Sequence, residues 1–161
     1  MEVGYEIKGY RRIHIYINPE DELEAAKFIA GALLLSHGVR RDTVAVTRLR
    51  GFWLIALGEK VRHLRPDEET LEGWMKAVLR GAKLGVILAK DKPIYTGFKI
   101  CLNLEGPPLL EMLRMPKREV YVVIYSKVEN CDSTYRKPGR LKEYMIAPLI
   151  NIMIDNLELS D

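Results

Sequence analysis

The residues Leu33-Leu34-Leu35-Ser36-His37-Gly38-Val39-Arg40-Arg41-Asp42 carry the chain from an apolar helix, through a glycine and a charged triplet, into an apolar strand. The glycine reads as a helix end: Gly38 suits a left-handed C-cap, and His37 complements the negative end of the helix dipole. The charges beyond it admit three readings. Arg40, Arg41 and Asp42 are solvated loop charges, or a structural network in which Arg41 and Asp42 pair with each other or with Glu68 and Glu69, or a grip on an anionic partner.

Working outward, Ile13 to Ile17 is β-branched and aromatic and reads as a buried strand. Asn18 and Pro19 then start a helix, with Glu20, Asp21 and Glu22 at the positive end of its dipole, and the helix is expected to run to about His37. Its apolar stripe is broad enough to pack on a sheet and on a partner, and Ala30, Gly31 and Ala32 permit close approach. Beyond the charged corner, Thr43–Thr47 and Phe52–Leu57 are strands joined through Arg48 to Gly51, and Lys60–Leu64 is expected to be a short further strand. Pro66 with Asp67, Glu68 and Glu69 opens a second helix that Gly81 ends.

Gly85–Ala89 and Pro93–Tyr95 are expected as short strands, and Lys99–Leu113 as a short or broken helix. Glu119–Tyr125 is apolar enough to be a central strand of a parallel sheet. A polar loop from Val128 to Gly139 follows, then a short strand over Leu141–Ile146 and a terminal helix beginning at Pro148. The alternation predicts one α/β domain over residues 1–161, with a mostly parallel sheet.

Of the 161 residues 48% are hydrophobic, enough for a core without disulfides or metals, and the formal charge of +3 is compatible with a basic face. Basic residues gather around Arg11-Arg12, Arg40–Arg50, Lys60–Arg65, Arg114–Arg118 and Arg136–Lys142. The two cysteines, Cys101 and Cys131, have no zinc or redox spacing, so no metal is expected and a reducing cytoplasm is inferred. Neither a signal peptide nor a membrane span is legible. The charge-rich, amide-poor composition leans towards a thermophile. Phosphate-loop, dinucleotide, zinc-protease and nucleophile-elbow motifs are all missing. His14 sits within a strand pattern and reads as a satisfied core histidine, and His63 as a surface residue.

The opening stretch resembles the leucine-rich segment ending in Ser-His-Gly-(Ile/Val)-Arg-Arg-Asp of the archaeal tRNA pseudouridine N1-methyltransferases, members of the SPOUT or α/β-knot class. A second match, Gly58-Glu59-Lys60-Val61-Arg62-His63-Leu64-Arg65-Pro66-Asp67-Glu68-Glu69 leading into a helix, follows at that family's spacing, and the two together span residues 20 to 84. The resemblance implies a SPOUT-like fold with helices on both faces of the sheet and a C-terminal trefoil knot. It implies a cytoplasmic homodimer that uses S-adenosylmethionine to methylate pseudouridine in the T-loop of tRNA. A divergent, non-catalytic RNA-binding or scaffold relative, or a SPOUT enzyme with another RNA target, is the alternative.

Such methyl transfer is an in-line displacement that relies on alignment, so a nucleophile motif is not required. Carried onto this chain, Arg40 and Arg41 would grip RNA phosphate while Asp42 orients the target base. The cofactor loops would fall near Ile94 to Gly97, at Tyr125-Ser126-Lys127, and at Met145-Ile146-Ala147-Pro148-Leu149. Where the family carries Gly-Asp-His followed by a glycine, this sequence has Tyr125-Ser126-Lys127-Val128, which puts side chains where a ligand would approach backbone.

Overall fold

The computed structural model of the chain describes residues 4–126 and 130–159. Its organising strand is β1 (Arg12–Tyr16), buried along its whole length, with β4 (Thr43–Leu49) parallel on one side and β8 (Tyr121–Ile124) parallel on the other. Next to β8 lies β7 (Phe98–Pro108), then β9 (Ser133–Arg136), both parallel. Beyond β4, β5 (Phe52–Leu57) and β6 (Val86–Ala89) are antiparallel. The seven-stranded order is therefore β6-β5-β4-β1-β8-β7-β9, a mostly parallel α/β sheet. The β4–β5 hairpin turns at Arg50 and Gly51, both at positive φ (51° and 81°), as a twist-matched two-residue turn requires.

Alternation along β1 sorts two cores. Tyr16 joins the larger core, which holds the buried side chains of all three α-helices, α1 (Glu22–Leu33), α2 (Glu68–Leu79) and α3 (Glu143–Leu159). Ile13 and Ile15 face the second core with Val44, Val46, Trp53 and Ile55, and no α-helix contributes to it. The expectation of helices on both faces is corrected: the second face is covered by the segments around Ile7–Tyr10 and Tyr95, whose backbones meet at Ile7 N–H to Ile94 O (2.9 Å).

The charged corner also folds differently. α1 is capped by the Asp21 side chain on the N–H of Glu24, not by Asn18, and it stops at Leu33. Leu34–Leu35 (β2) then pairs with Gly38–Val39 (β3) as a tight hairpin, so Gly38 is a strand residue and not a helix cap. Lys60–Leu64 forms a turn on Leu57 rather than a strand, with the N–H groups of Lys60 and Val61 both donating to the Leu57 carbonyl. Pro93–Tyr95 reduces to an isolated bridge between Glu6 and Ile94. The segment expected as a broken helix is strand β7 followed by a 3-10 turn, Leu109–Arg114. Part of the expected polar loop is β9.

The terminal helix starts five residues before Pro148, absorbing the segment expected as a last strand. Proline lacks the N–H that would reach back to Tyr144, so that carbonyl is free of the helix ladder. Gly31 of α1 faces it: a Cβ there would sit 2.5 Å from Tyr144 O and 3.3 Å from Pro148 Cδ. The small residue on α1 is what lets α1 and α3 pack this closely.

Candidate functional site

Parallel strands of an α/β sheet leave their carboxyl ends as the place where loops build a ligand site. Here β7 and β9 end beside the start of α3 and enclose a cleft of about 460 Å³, lined by Leu104, Leu109, Arg136, Pro138, Gly139, Leu149 and Met153 among others. The volume falls in the range of small-molecule sites. The β7 rim is made by an irregularity: Asn103 and Pro108 both register against Arg136, so residues 104–107 bulge out, with Gly106 at φ 121°. On the other rim, Lys137 is held by Glu143 (2.6 Å), whereas Arg136 is exposed and forms no ion pair among the described residues. A Cβ on Gly139 would meet no atom within 4 Å. The cleft thus offers apolar walls and one unspent cation.

Of the residues expected to hold a cofactor, the structure brings only Leu149 to this cleft. Ile146 and Ala147 are fully buried in the helix-side core, pointing into the sheet from α3. Pro148 lines a separate hollow of about 430 Å³ between α1, α2 and α3, with Gly31 and Tyr144. Met145 is exposed on the outer side of α3. Ile94 packs near Gly4, Tyr10 and Val120, by the amino ends of β1 and β8, so the loop carried over to Ile94–Gly97 does not reach the carboxyl-end cleft. Lys127 lies outside the described residues.

Tyr125 is spent on the core. Its hydroxyl donates to Nδ1 of His14 (2.6 Å), its ring meets Phe28 edge-on, and burial holds its ionisation well above the ordinary range. Ser126 has a buried Oγ with no hydrogen-bond partner among the described residues.

The charged corner stands at the opposite, amino-terminal end of the parallel strands, where the Asp42 carbonyl accepts from the N–H groups of Arg11 and Arg12. Gly58 closes against it, since a Cβ there would lie 2.0 Å from Arg40 O. Arg40 is not free to grip phosphate: both its terminal nitrogens donate to Asp155 of α3, each at 3.0 Å. Asp155 also accepts from Arg12 (2.6 Å), which is only 2% exposed. Burial works to raise the Asp155 carboxyl, but the hydrogen bonds and charges of Arg40 and Arg12 outweigh it and hold it below the usual range. Arg40 is thus part of a structural ion network with Asp155 and Arg12, whereas the expected network of Arg41 and Asp42 with each other or with Glu68 and Glu69 does not form among the described residues. Glu68 instead pairs with Lys27 (2.5 Å), Asp42 accepts from the Thr43 hydroxyl (2.9 Å), and Arg41 is exposed and unpaired among the described residues.

Beside that ion network runs a neutral one. Asn151 donates from Nδ2 to Ala32 O (2.7 Å) and accepts at Oδ1 from His14 Nε2 (2.9 Å) and Arg12 (3.3 Å). Burial lowers His14 to about 4, opposed by the hydrogen bond to Asn151 and reinforced by the charges of Arg12 and Arg40. His14 is the satisfied core histidine that the strand pattern implied. Asn151 and Asp155 carried no such signal, because their spacing on α3 acquires meaning only when that helix lies across β1.

The two cysteines, whose spacing reads as a sign of a reducing cytoplasm, instead form a disulfide between Cys101 of β7 and Cys131. No group of three or more His, Cys, Asp or Glu suited to a metal occurs among the described residues, and none of their helices is long and apolar enough to cross a membrane. Comparison with protein-family models and with curated proteins finds no match to this chain.

Proposed function

We propose that this chain is an S-adenosylmethionine-dependent RNA methyltransferase of the SPOUT type, with T-loop pseudouridine of tRNA as the substrate its resemblance implies. The observation that carries the reading is the carboxyl-end cleft, which has nucleoside-sized volume, apolar walls and a single unpaired guanidinium. These residues fit the cofactor: Arg136 would hold its carboxylate, and Leu109, Pro138 and Leu149 would flank its adenine. S-adenosylmethionine would supply an electrophilic sulfonium methyl. The chain's part is to orient the acceptor and exclude water, which places the chemistry in alignment rather than in a nucleophile. In this reading α3 threads the C-terminal knot, and the protein works as a cytoplasmic homodimer. A disulfide inside the cell agrees with the thermophile-like composition, since hyperthermophile proteins are the exception to reducing-cytosol rules.

Calorimetry tests the site. Native protein should bind S-adenosylmethionine, and Gly139→Phe, which fills the cleft from an open position, should abolish binding with an unchanged melting temperature. Equal binding by both proteins would place the ligand elsewhere.

A second reading, a non-catalytic RNA-binding relative, is favoured by one observation: of the described residues carried over as cofactor contacts, only Leu149 lines the cleft. Transfer of labelled methyl to unmodified tRNA separates the two readings, because the second predicts RNA binding without transfer.

A further inference from the structure

The helix-free face of the sheet holds a feature that the methyl-transfer reading leaves unused. A small hollow of about 120 Å³ opens where β1 and β8 end, lined by Trp53, Lys92, Tyr95, Lys99, Ile124 and Ser126 among others. Two ammonium groups converge on one ring there: Lys92 Nζ lies 5.6 Å and Lys99 Nζ 5.9 Å from the centroid of Tyr95. Arg48 stands 5.4 Å over Trp53, which forms another wall. None of these three cations forms an ion pair among the described residues. Asp132, the carboxylate in contact with this strand, accepts from the backbone N–H of Lys99 (2.8 Å) and not from its ammonium.

Two like charges gathered at one ring repel each other, and a cation–π contact offsets only part of that. Ser126, which lines the hollow, has a buried Oγ with no partner among the described residues, and a buried hydroxyl left unsatisfied costs stability. Converging ammoniums and an orphan hydroxyl around a space too small for a nucleoside are what a tetrahedral oxyanion would satisfy.

We propose that Lys92, Lys99 and Ser126 form a phosphoryl-binding subsite on the helix-free face. Its source as an RNA backbone phosphate rests on the RNA reading above. The subsite is distinct from the cleft at β7 and β9 and shares no lining residue with it. It would anchor a strand passing over the carboxyl ends of the sheet.

Amide spectra of isotopically labelled full-length protein, titrated with inorganic phosphate, provide the test. Millimolar phosphate should shift the amides of Tyr95, Lys99 and Ser126, and the shifts should vanish in Lys92→Gln/Lys99→Gln. Ser126→Ala should weaken phosphate binding without lowering the melting temperature, a result that a purely structural hydroxyl would not give. With a tRNA T-arm hairpin, the double variant should bind about tenfold more weakly, and its log–log salt slope should be shallower by about 0.7–0.9, one phosphate contact. Phosphate shifts with unchanged RNA binding would overturn the RNA source and support a free phosphate or small phosphorylated ligand. No shift at millimolar phosphate, or equal shifts in the double variant, would overturn the subsite. None of these readouts depends on S-adenosylmethionine, so failure of the methyltransferase reading would be seen separately.

Discussion

Nε2 of His14 meets Oδ1 of Asn151 at 2.9 Å, joining the central strand to the last helix across 137 positions of sequence. Since the Asn151 oxygen only accepts, the imidazole is protonated at Nε2 and accepts from Tyr125 at Nδ1, a neutral tautomer held in a dry site. Its folded value near 4 lies below the ordinary 6.5, so the unfolded chain binds a proton that the folded chain refuses. Stability from this residue is fully present above about pH 6.5 and is lost as pH falls towards 4, by about 3 kcal/mol. Urea titrations from pH 7 to 4 should show the decline, and His14→Gln should flatten it. An equally steep curve in that variant would contradict the assignment.

Removing one member of the ion network should distinguish Arg40 from Arg41. Arg40→Ala strips a bidentate partner from Asp155, and Asp155→Ala removes the nearer of the two carboxylates paired with buried Arg12, leaving it Glu158 at 3.4 Å. Each loss should fall below the roughly 3–5 kcal/mol of a fully broken buried pair but lower the melting temperature measurably. Arg41→Ala should leave the melting temperature where it is and weaken RNA binding at low salt. Thermal denaturation of the three variants decides, and equal losses for Arg40→Ala and Arg41→Ala would refute the distinction.

Reduction should loosen the β7–β9 edge. The Cys101–Cys131 bridge closes a loop of 30 residues, and a crosslink of that span contributes roughly 3–4 kcal/mol in the chain-entropy picture. Cys101→Ser/Cys131→Ser should therefore melt lower than the native protein without reductant and match it with reductant. Identical melting under both conditions would show that the bridge contributes nothing.

Dimerisation is expected through the outer side of α3, where Met145, Leu149 and Ile152 are exposed at helical spacing. Leu104 and Leu110, 82% and 71% exposed, extend the same apolar surface across the cleft mouth. Obligate homodimer interfaces typically bury upwards of about 2,000 Å² and are hydrophobic. Sedimentation of the native protein should give a dimer, and Ile152→Asp a folded monomer. A native monomer at micromolar concentration would exclude this interface.

Much of the frame was written locally. Periodicity and turn residues placed α2, β1, β4, β5, β6 and β8 near their observed positions, because each of these elements buries a face that its own sequence marks. The close approach at Gly31 was legible for the same reason: a run of small residues on an apolar stripe has few other uses. What the sequence could not determine are the relationships between distant positions. Leu34 and Leu35 read as helix, but the tight hairpin at Gly38 takes them out of it. Pro148 reads as a helix start, yet the helix begins at Glu143 because Gly31 tolerates the carbonyl that proline leaves free. Arg40 reads as a loop charge beside Arg41, and only the passage of α3 under β1 brings Asp155 to it and leaves Arg41 to solvent. The cleft likewise needs β7 and β9, far apart in the chain, to end side by side. Local propensity follows from each residue's own backbone and side chain, whereas a partner more than a hundred residues away is chosen by packing.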